Sequence, residues 1–301
     1  MNIDWQQEKE QAIARLQRML RFETVNPPGG ELALVRALAA EAESVGIHAE
    51  VLVAGEGRGN LLLRLRGDGS ERPLLLLSHL DVVPAEPDKW SYPPFAGTRA
   101  EGFVWGRGAI DSKLTGALHM QLLFMAQQLA LPLKRDIVLI AAADEEYGGH
   151  FGVEWLLSEH PELFDAEYGL NEAGGFAVQV GGKLLYTIQV GEKGAANLDL
   201  VANGQPGHSS VPHDDNAVFH LAKVLARMAG KKMPHRPPAS VRAFFARAAQ
   251  AQDDVQVAED LRALLDAEMC DAALARLPVN SATRRMFDAM LRNTCAPTMV
   301  E

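Results

Sequence analysis

The chain has 301 residues, 48% hydrophobic and 23% charged, enough apolar content for a large core and far from the composition of a disordered tail. Lys plus Arg number 29 against 39 Asp plus Glu, a formal charge of -10 that argues against general affinity for nucleic-acid phosphate or an anionic membrane. Two cysteines, Cys270 and Cys295, are too few for a disulfide framework, no run approaches the ~18 apolar residues of a membrane span, and a soluble, cytoplasmic protein is expected.

Asp4 is placed to cap a helix in which Ile13, Leu16 and Leu20 recur up to Phe22, and the turn Asn26-Pro27-Pro28-Gly29-Gly30 closes it. A second helix runs through Leu32, Val35, Leu38, Ala42 and Val45 to Gly46, and residues 47–53 and 61–65 read as strands. Residues 74–77 and 137–143 are unbroken apolar runs flanking a helix-like stretch, 114–129, the pattern of parallel strands buried on both faces and joined by a crossover. A short strand is expected at 166–170, and strands at 176–180 and 183–190 flank Gly181-Gly182, a two-residue hairpin signal. From Gly191 the composition shifts: a strand at 197–201, a helix through Val218, Leu221, Val224, Leu225 and Met228, a basic Pro-rich loop at 231–238, then Ala-rich helices such as that following Asp253-Asp254. The reading is α/β for residues 1–190 and a second domain for 191–301.

Four polar clusters each follow a strand-like run or open the crossover helix. In Ser78-His79-Leu80-Asp81, residues two apart on an extended segment point the same way, so Asp81 can accept from one ring nitrogen of His79 while the other binds a metal. In Gly106-Arg107-Gly108-Ala109-Ile110-Asp111, Asp111 stands where a dinucleotide fingerprint needs its third glycine and would repel a pyrophosphate, which disfavours a nucleotide-binding protein and leaves a helix cap or a metal ligand. Three adjacent carboxylates in Asp144-Glu145-Glu146 repel one another unless a cation or proton intervenes. Adjacent side chains diverge, so one Glu can ligate a metal while the other serves as general base. The fourth, Asn171-Glu172-Ala173-Gly174-Gly175, adds a carboxylate after the short strand, and all four supply ligands of the kind zinc accepts.

In that order the four motifs resemble the M20 family of metallopeptidases and amidohydrolases, which includes carboxypeptidases, aminoacylases and deacylases; the resemblance runs from Leu20 to Val300. It implies a mainly parallel sheet flanked by helices, of the zinc-exopeptidase kind, with an inserted α+β lid and dimerisation domain that is incomplete here. It implies Zn2+, one or two ions with Co2+ or Mn2+ as alternatives, a small peptide or N-acyl amino acid as substrate, and a homodimer formed through the lid. By motif position, His79 and Glu172 would be terminal ligands of one zinc, Glu146 a ligand of the other, and Asp111 the bridge. Asp81 would orient His79, and Glu145 would be the general base. His208, in Gly207-His208-Ser209-Ser210, would help stabilise the tetrahedral intermediate.

The family pattern also calls for a last His ligand and a carboxylate-binding Arg further on, and no His follows His235. One site therefore keeps three protein ligands, His79, Asp111 and Glu172, and the other only Asp111 and Glu146. The expectation is one tightly held zinc, amide hydrolysis as the activity, and as the alternative a catalytically incomplete fragment that binds metal or a homologous partner without turnover.

Overall fold

A computed structural model describes residues 3–172, 175–194 and 196–300, so Ala173 and Gly174 of the fourth motif and the terminal Glu301 lie outside the described residues. The chain forms two compact units, Met1–Glu172 and Ala173–Glu301. In the first, Asp4 caps α1 (Trp5–Leu20), its carboxylate accepting from the N–H groups of Gln6 and Gln7 at 3.1 Å, and α1 buries Leu16, Met19 and Leu20. α2 (Leu32–Ser44) buries Leu34, Val35, Leu38 and Ala42, the spacing expected of one helical face. There follow β1 (Ala49–Gly55), β2 (Arg58–Leu65), β3 (Leu74–His79), the small hairpin β4 (Thr98–Ala100) and β5 (Phe103–Trp105), α3 (Lys113–Gln128), β6 (Ile137–Ala142), α4 (Val153–Glu159) and β7 (Tyr168–Leu170).

Five of these strands form one sheet in the order β1-β2-β6-β3-β7. β2 is antiparallel to both neighbours, while β3 is parallel to β6 and to β7, so β2 alone opposes four strands running the same way. The expected crossover is present, with α3 carrying the chain from β3 to β6. Period-two alternation divides the sheet between two cores: Leu61, Leu63, Leu76, Leu139 and Ala141 face α1, α2 and α3, whereas Leu62, Leu75, Val138, Ile140 and Ala142 face Leu156 of α4. Covering on both faces is why β3 and β6 read as continuous apolar runs, and each leucine so buried contributes about 1.5–3 kcal/mol. The carboxyl ends of β3 and β6 lie level, His79 pairing with Ala142, and Leu76 pairs with Leu170, so β7 ends beside β3.

The second unit holds the hairpin β8 (Ala177–Val180) and β9 (Lys183–Tyr186), then α5 (Ala217–Met228), α6 (Ala239–Gln250), α7 (Val255–Ala263), α8 (Cys270–Arg276) and α9 (Ser281–Leu291). Gly181 and Gly182 take positive φ, +55° and +80°, as a two-residue hairpin turn demands. Val178 and Val180 are buried with Phe245, Leu261, Leu274, Phe287 and Leu291, which is why the hairpin groups with this unit and the division falls at residue 172 instead of near 190. The rings of Phe245 and Phe287 meet edge to face at 5.1 Å. The strand expected at 197–201 does not form: these residues have no partner strand among the described residues, and Leu198, Leu200 and Val201 are exposed. An apolar-polar alternation makes a strand only where another backbone completes its ladder. Among the described residues no helix is long and apolar enough to cross a membrane.

Candidate metal centre

The carboxyl ends of β3, β6 and β7 and the loop before α3 supply every side chain of the site. β3 delivers His79, 2% exposed, and two residues on the fully buried Asp81. The loop carrying Asp111 is tied down by its neighbours: the Oγ of Ser112 accepts from the N–H of His79 at 3.4 Å, and the buried Nζ of Lys113 donates to the carbonyls of Phe22 (2.8 Å) and Met19 (3.3 Å) at the end of α1. A cation there complements the helix C-terminus. Burial lowers the Lys113 pKa to about 8, against the pull of Asp81 and Glu31. At the end of β6, Asp144 takes a left-handed conformation, φ +63°, and the chain turns sharply into the short helical turn Glu145–Tyr147.

These elements converge on Nε2 of His79. Asp111 Oδ1 lies 2.9 Å from it, Glu172 Oε2 3.3 Å and Glu145 Oε2 3.8 Å. Two sets place one ligand atom per residue within 4.8 Å of each other: His79 with Glu145 and Glu172, and His79 with Asp111 and Glu146. On the other side of the ring, Nδ1 faces the carbonyl oxygen of Asp81 at 3.1 Å and its Oδ1 at 3.3 Å. Both are acceptors, so Nδ1 carries hydrogen and Nε2 is the ring nitrogen turned towards the carboxylates.

The electrostatics ask for positive charge at that point. Burial works against a charged His79, but its bond to Asp81 and the charges of Glu172 and Asp111 win and raise its pKa to about 10. Burial also raises the Glu145 carboxyl, helped by Glu172 and Asp81, and burial with the charge of Asp111 raises that of Glu146. One imidazole nitrogen among four converging carboxylates is a donor set suited to a divalent cation.

The sequence-derived residues His79, Asp81, Asp111, Glu145, Glu146 and Glu172 are thus brought together. The grouping differs in two respects from the expected ligand sets: Glu145 stands with His79 and Glu172 as closely as a ligand would, and His79 stands with Asp111 and Glu146 as well. His208 belongs to the second unit, exposed, with Nδ1 accepting from the N–H of Ser210 at 3.2 Å and lying 2.7 Å from its Oγ. Three buried residues beneath the site were missed as functional, Asn26, Glu31 and Arg58, and they join the buried Asp144 of the acidic cluster. Asn26 Nδ2 donates to Asp81 Oδ2 and Asp144 Oδ1, both at 2.8 Å, and Asn26 Oδ1 accepts from Arg58 Nη2 at 3.1 Å. Arg58 also pairs with Asp144, and through Nη1 with Glu31 at 2.7 Å. The one local signal was a charged residue, Glu31, set directly before an apolar helix; nothing near Arg58 in the sequence marks it.

The sequence profile of peptidase family M20/M25/M40 matches residues 75–260, a span that holds every candidate ligand. The chain belongs to that family. Among its M20 relatives are the N-fatty-acyl-amino acid synthase/hydrolase PM20D1 of Xenopus tropicalis, 35% identical over 182 residues (58% of this chain, 35% of that protein) and aminoacylase-1 of Sus scrofa, 29% identical over 216 residues (71% and 52%). The fold is shared with the M20 metallo-carboxypeptidase Sso-CP2 of Sulfolobus solfataricus, at a TM-score of 0.56 and 17% identity, covering 96% of this chain and 67% of that one. The chain spans about a third of the length of the PM20D1 proteins it matches.

Proposed function

We propose that this M20 chain is the catalytic part of a zinc-dependent amidohydrolase that cleaves the amide bond of a small peptide or an N-acyl amino acid with an activated water. The observation that carries the reading is the convergence of Asp111, Glu172 and Glu145 on Nε2 of a buried His79 whose other nitrogen is committed to Asp81. His79, Asp111 and Glu172 would hold one ion, and Asp111 with Glu146 a second and weaker one; Co2+ or Mn2+ would suit the same donors. A bound ion of this kind polarises an amide carbonyl and acidifies water beside it. Glu145, half exposed and with its carboxyl held above the usual range mainly by burial, takes the proton of the attacking water and hands it to the leaving amine. His208 steadies the developing oxyanion, with the first unit as catalytic domain and the second as lid. The exposed Val218 and Phe219 of α5 support a homodimer formed through that region. The free thiols Cys270 and Cys295 support a cytoplasmic location.

The relatives named as an N-fatty-acyl-amino acid synthase/hydrolase and as an aminoacylase support N-acyl amino acids as substrate class. The test is release of free amino acid from a panel of N-acyl amino acids and dipeptides, before chelation, after it, and after zinc is restored. Turnover that vanishes and returns with zinc is expected. One observation favours a second reading, binding without turnover: among the described residues both ligand groups depend on the same imidazole, His79, so two ions cannot each have a histidine. Zinc bound at one equivalent with no release of amino acid would establish it.

A further inference from the structure

The layer beneath the ligands is built as carefully as the ligands themselves. Residues 24–26, in the linker between α1 and α2, are laced to the segment that leaves β3. Thr24 Oγ1 donates to the carbonyl of Leu80 at 2.6 Å, the N–H of Val82 to Thr24 at 3.0 Å, and the N–H of Asn26 to Val82 at 2.9 Å. This fixes the Asn26 backbone and leaves its side chain free for one task. Both amide hydrogens are used, one on Asp81 and one on Asp144, and the amide oxygen faces Arg58. The amide cannot be reversed, because its oxygen would then confront two carboxylates.

The two carboxylates that Asn26 joins control the two arms of the site. Asp81 Oδ1 accepts from the N–H of Glu145 (3.0 Å) and faces His79 Nδ1, and Asp81 Oδ2 accepts from Asn26 and the N–H of Glu146 (3.0 Å). Asp144 holds the turn that aims Glu145 and Glu146: its carboxylate accepts from Asn26, from Arg58 and from the N–H of Phe151 (3.1 Å), bonds that offset the ~1–2 kcal/mol a left-handed Asp costs. Arg58 reaches this point only because residue 29 is glycine, at φ +85°; a Cβ there would fall 1.3 Å from Arg58 Nη1.

We propose that Asn26, aligned by Arg58, is a positioning residue of the metal centre: by tying Asp81 to Asp144 it locks the imidazole arm and the carboxylate arm into one rigid unit. The proposal rests on the metal-centre reading above. A packing role and a positioning role make opposite forecasts for two substitutions. Asn26→Asp keeps the shape but sets a third acceptor against two carboxylates, whereas Asn26→Ala keeps neither shape nor bonds. If Asn26 only fills space, Asn26→Asp is harmless; if it ties the arms, Asn26→Asp is at least as damaging as Asn26→Ala.

The experiment uses the full 301-residue chain and zinc chloride in competition with a chromogenic chelator, with tryptophan-monitored unfolding of the metal-free proteins alongside. Both Asn26 variants should bind zinc about 10–100-fold more weakly, the usual effect of removing a partner that orients a ligand. Leu123→Ala, a buried-core variant chosen to lose comparable stability, should keep the wild-type affinity. Should Asn26→Asp fail to fold, Gly29→Ala carries the test, since it displaces Arg58 without removing a polar group, and about a 10-fold loss is expected. Asn26→Ala or Gly29→Ala binding zinc no more weakly than Leu123→Ala overturns the proposal. His79→Ala separates the two levels. If it loses zinc while Asn26→Ala does not, only the positioning role falls, and if it binds like the wild type the metal-centre reading falls as well.

Discussion

Replacing Asp81 by Asn tests the architecture at its most connected point. The fully buried Asp81 takes four donors: Asn26 Nδ2 at 2.8 Å, the N–H groups of Glu145 and Glu146 at 3.0 Å each, and His79 Nδ1 at 3.3 Å. Burial pushes its carboxyl up, but the bonds from His79 and Asn26 win and hold it below the usual range, so it is a carboxylate in the folded chain. An asparagine retains one accepting oxygen, and its NH2 then faces two of the four donors. Losing two bonds to a charged acceptor costs about 1.5–3 kcal/mol apiece. Removing a negative charge near Asp144 and Glu31 returns part of this, leaving a net loss of about 3 kcal/mol, a large share of the 5–15 kcal/mol by which domains are stable. All four tryptophans, Trp5, Trp90, Trp105 and Trp155, lie in the first unit, so urea unfolding followed by their fluorescence reports on that unit alone. Asp81→Asn should shift the metal-free transition by that amount and weaken zinc about 10–100-fold. A loss under about 1 kcal/mol with wild-type zinc affinity would show that Asp81 anchors neither the ring nor the turn.

The adjacent pair separates proton transfer from ligation. Glu145→Gln should abolish hydrolysis and leave zinc content nearly unchanged, while Glu146→Gln should weaken uptake of a second equivalent; indistinguishable zinc titrations would refute this division. His119, buried in α3, has its pKa lowered by burial from 6.5. The unfolded chain therefore takes up its proton first as pH falls, so between 6.5 and the lowered folded value stability drops on acidification. His119→Gln should lose less thermal stability than the wild type between pH 7 and 5, and equal losses would count against a neutral buried ring.

Element types were largely legible in the sequence because periodicity and apolar runs report burial, and burial is what positions α1, α2, β3, α3 and β6. The ligand-bearing clusters stood out for a related reason: carboxylates crowded at the end of a buried strand are costly without a counter-charge, so Asp144, Glu145 and Glu146 advertise a site. Residues 197–201 misled because alternation describes a strand's faces and says nothing of its neighbours. Arg58 was invisible for a different reason. Its meaning lies in the approach of Glu31, Asn26 and Asp144, separated from it by 27, 32 and 86 positions, and a distant pairing leaves no trace in any local window. Asn26 was read as turn punctuation, which describes its backbone and overlooks its amide.

β7 is three residues long, exposed, and among the described residues hydrogen-bonded to β3 on one side only, yet Glu172 follows it by two positions. His79 ends a strand flanked by two others and Glu146 sits in the turn that follows another such strand, so the proposed centre has one foot on firm ground and one on the margin of the sheet. Capturing a cation and stilling that margin are then a single equilibrium, and part of the gross ligation free energy is consumed in the ordering. A dissociation constant measured here would be a composite of donor chemistry and local opening. Whatever braces β7 would tighten metal binding without touching a ligand.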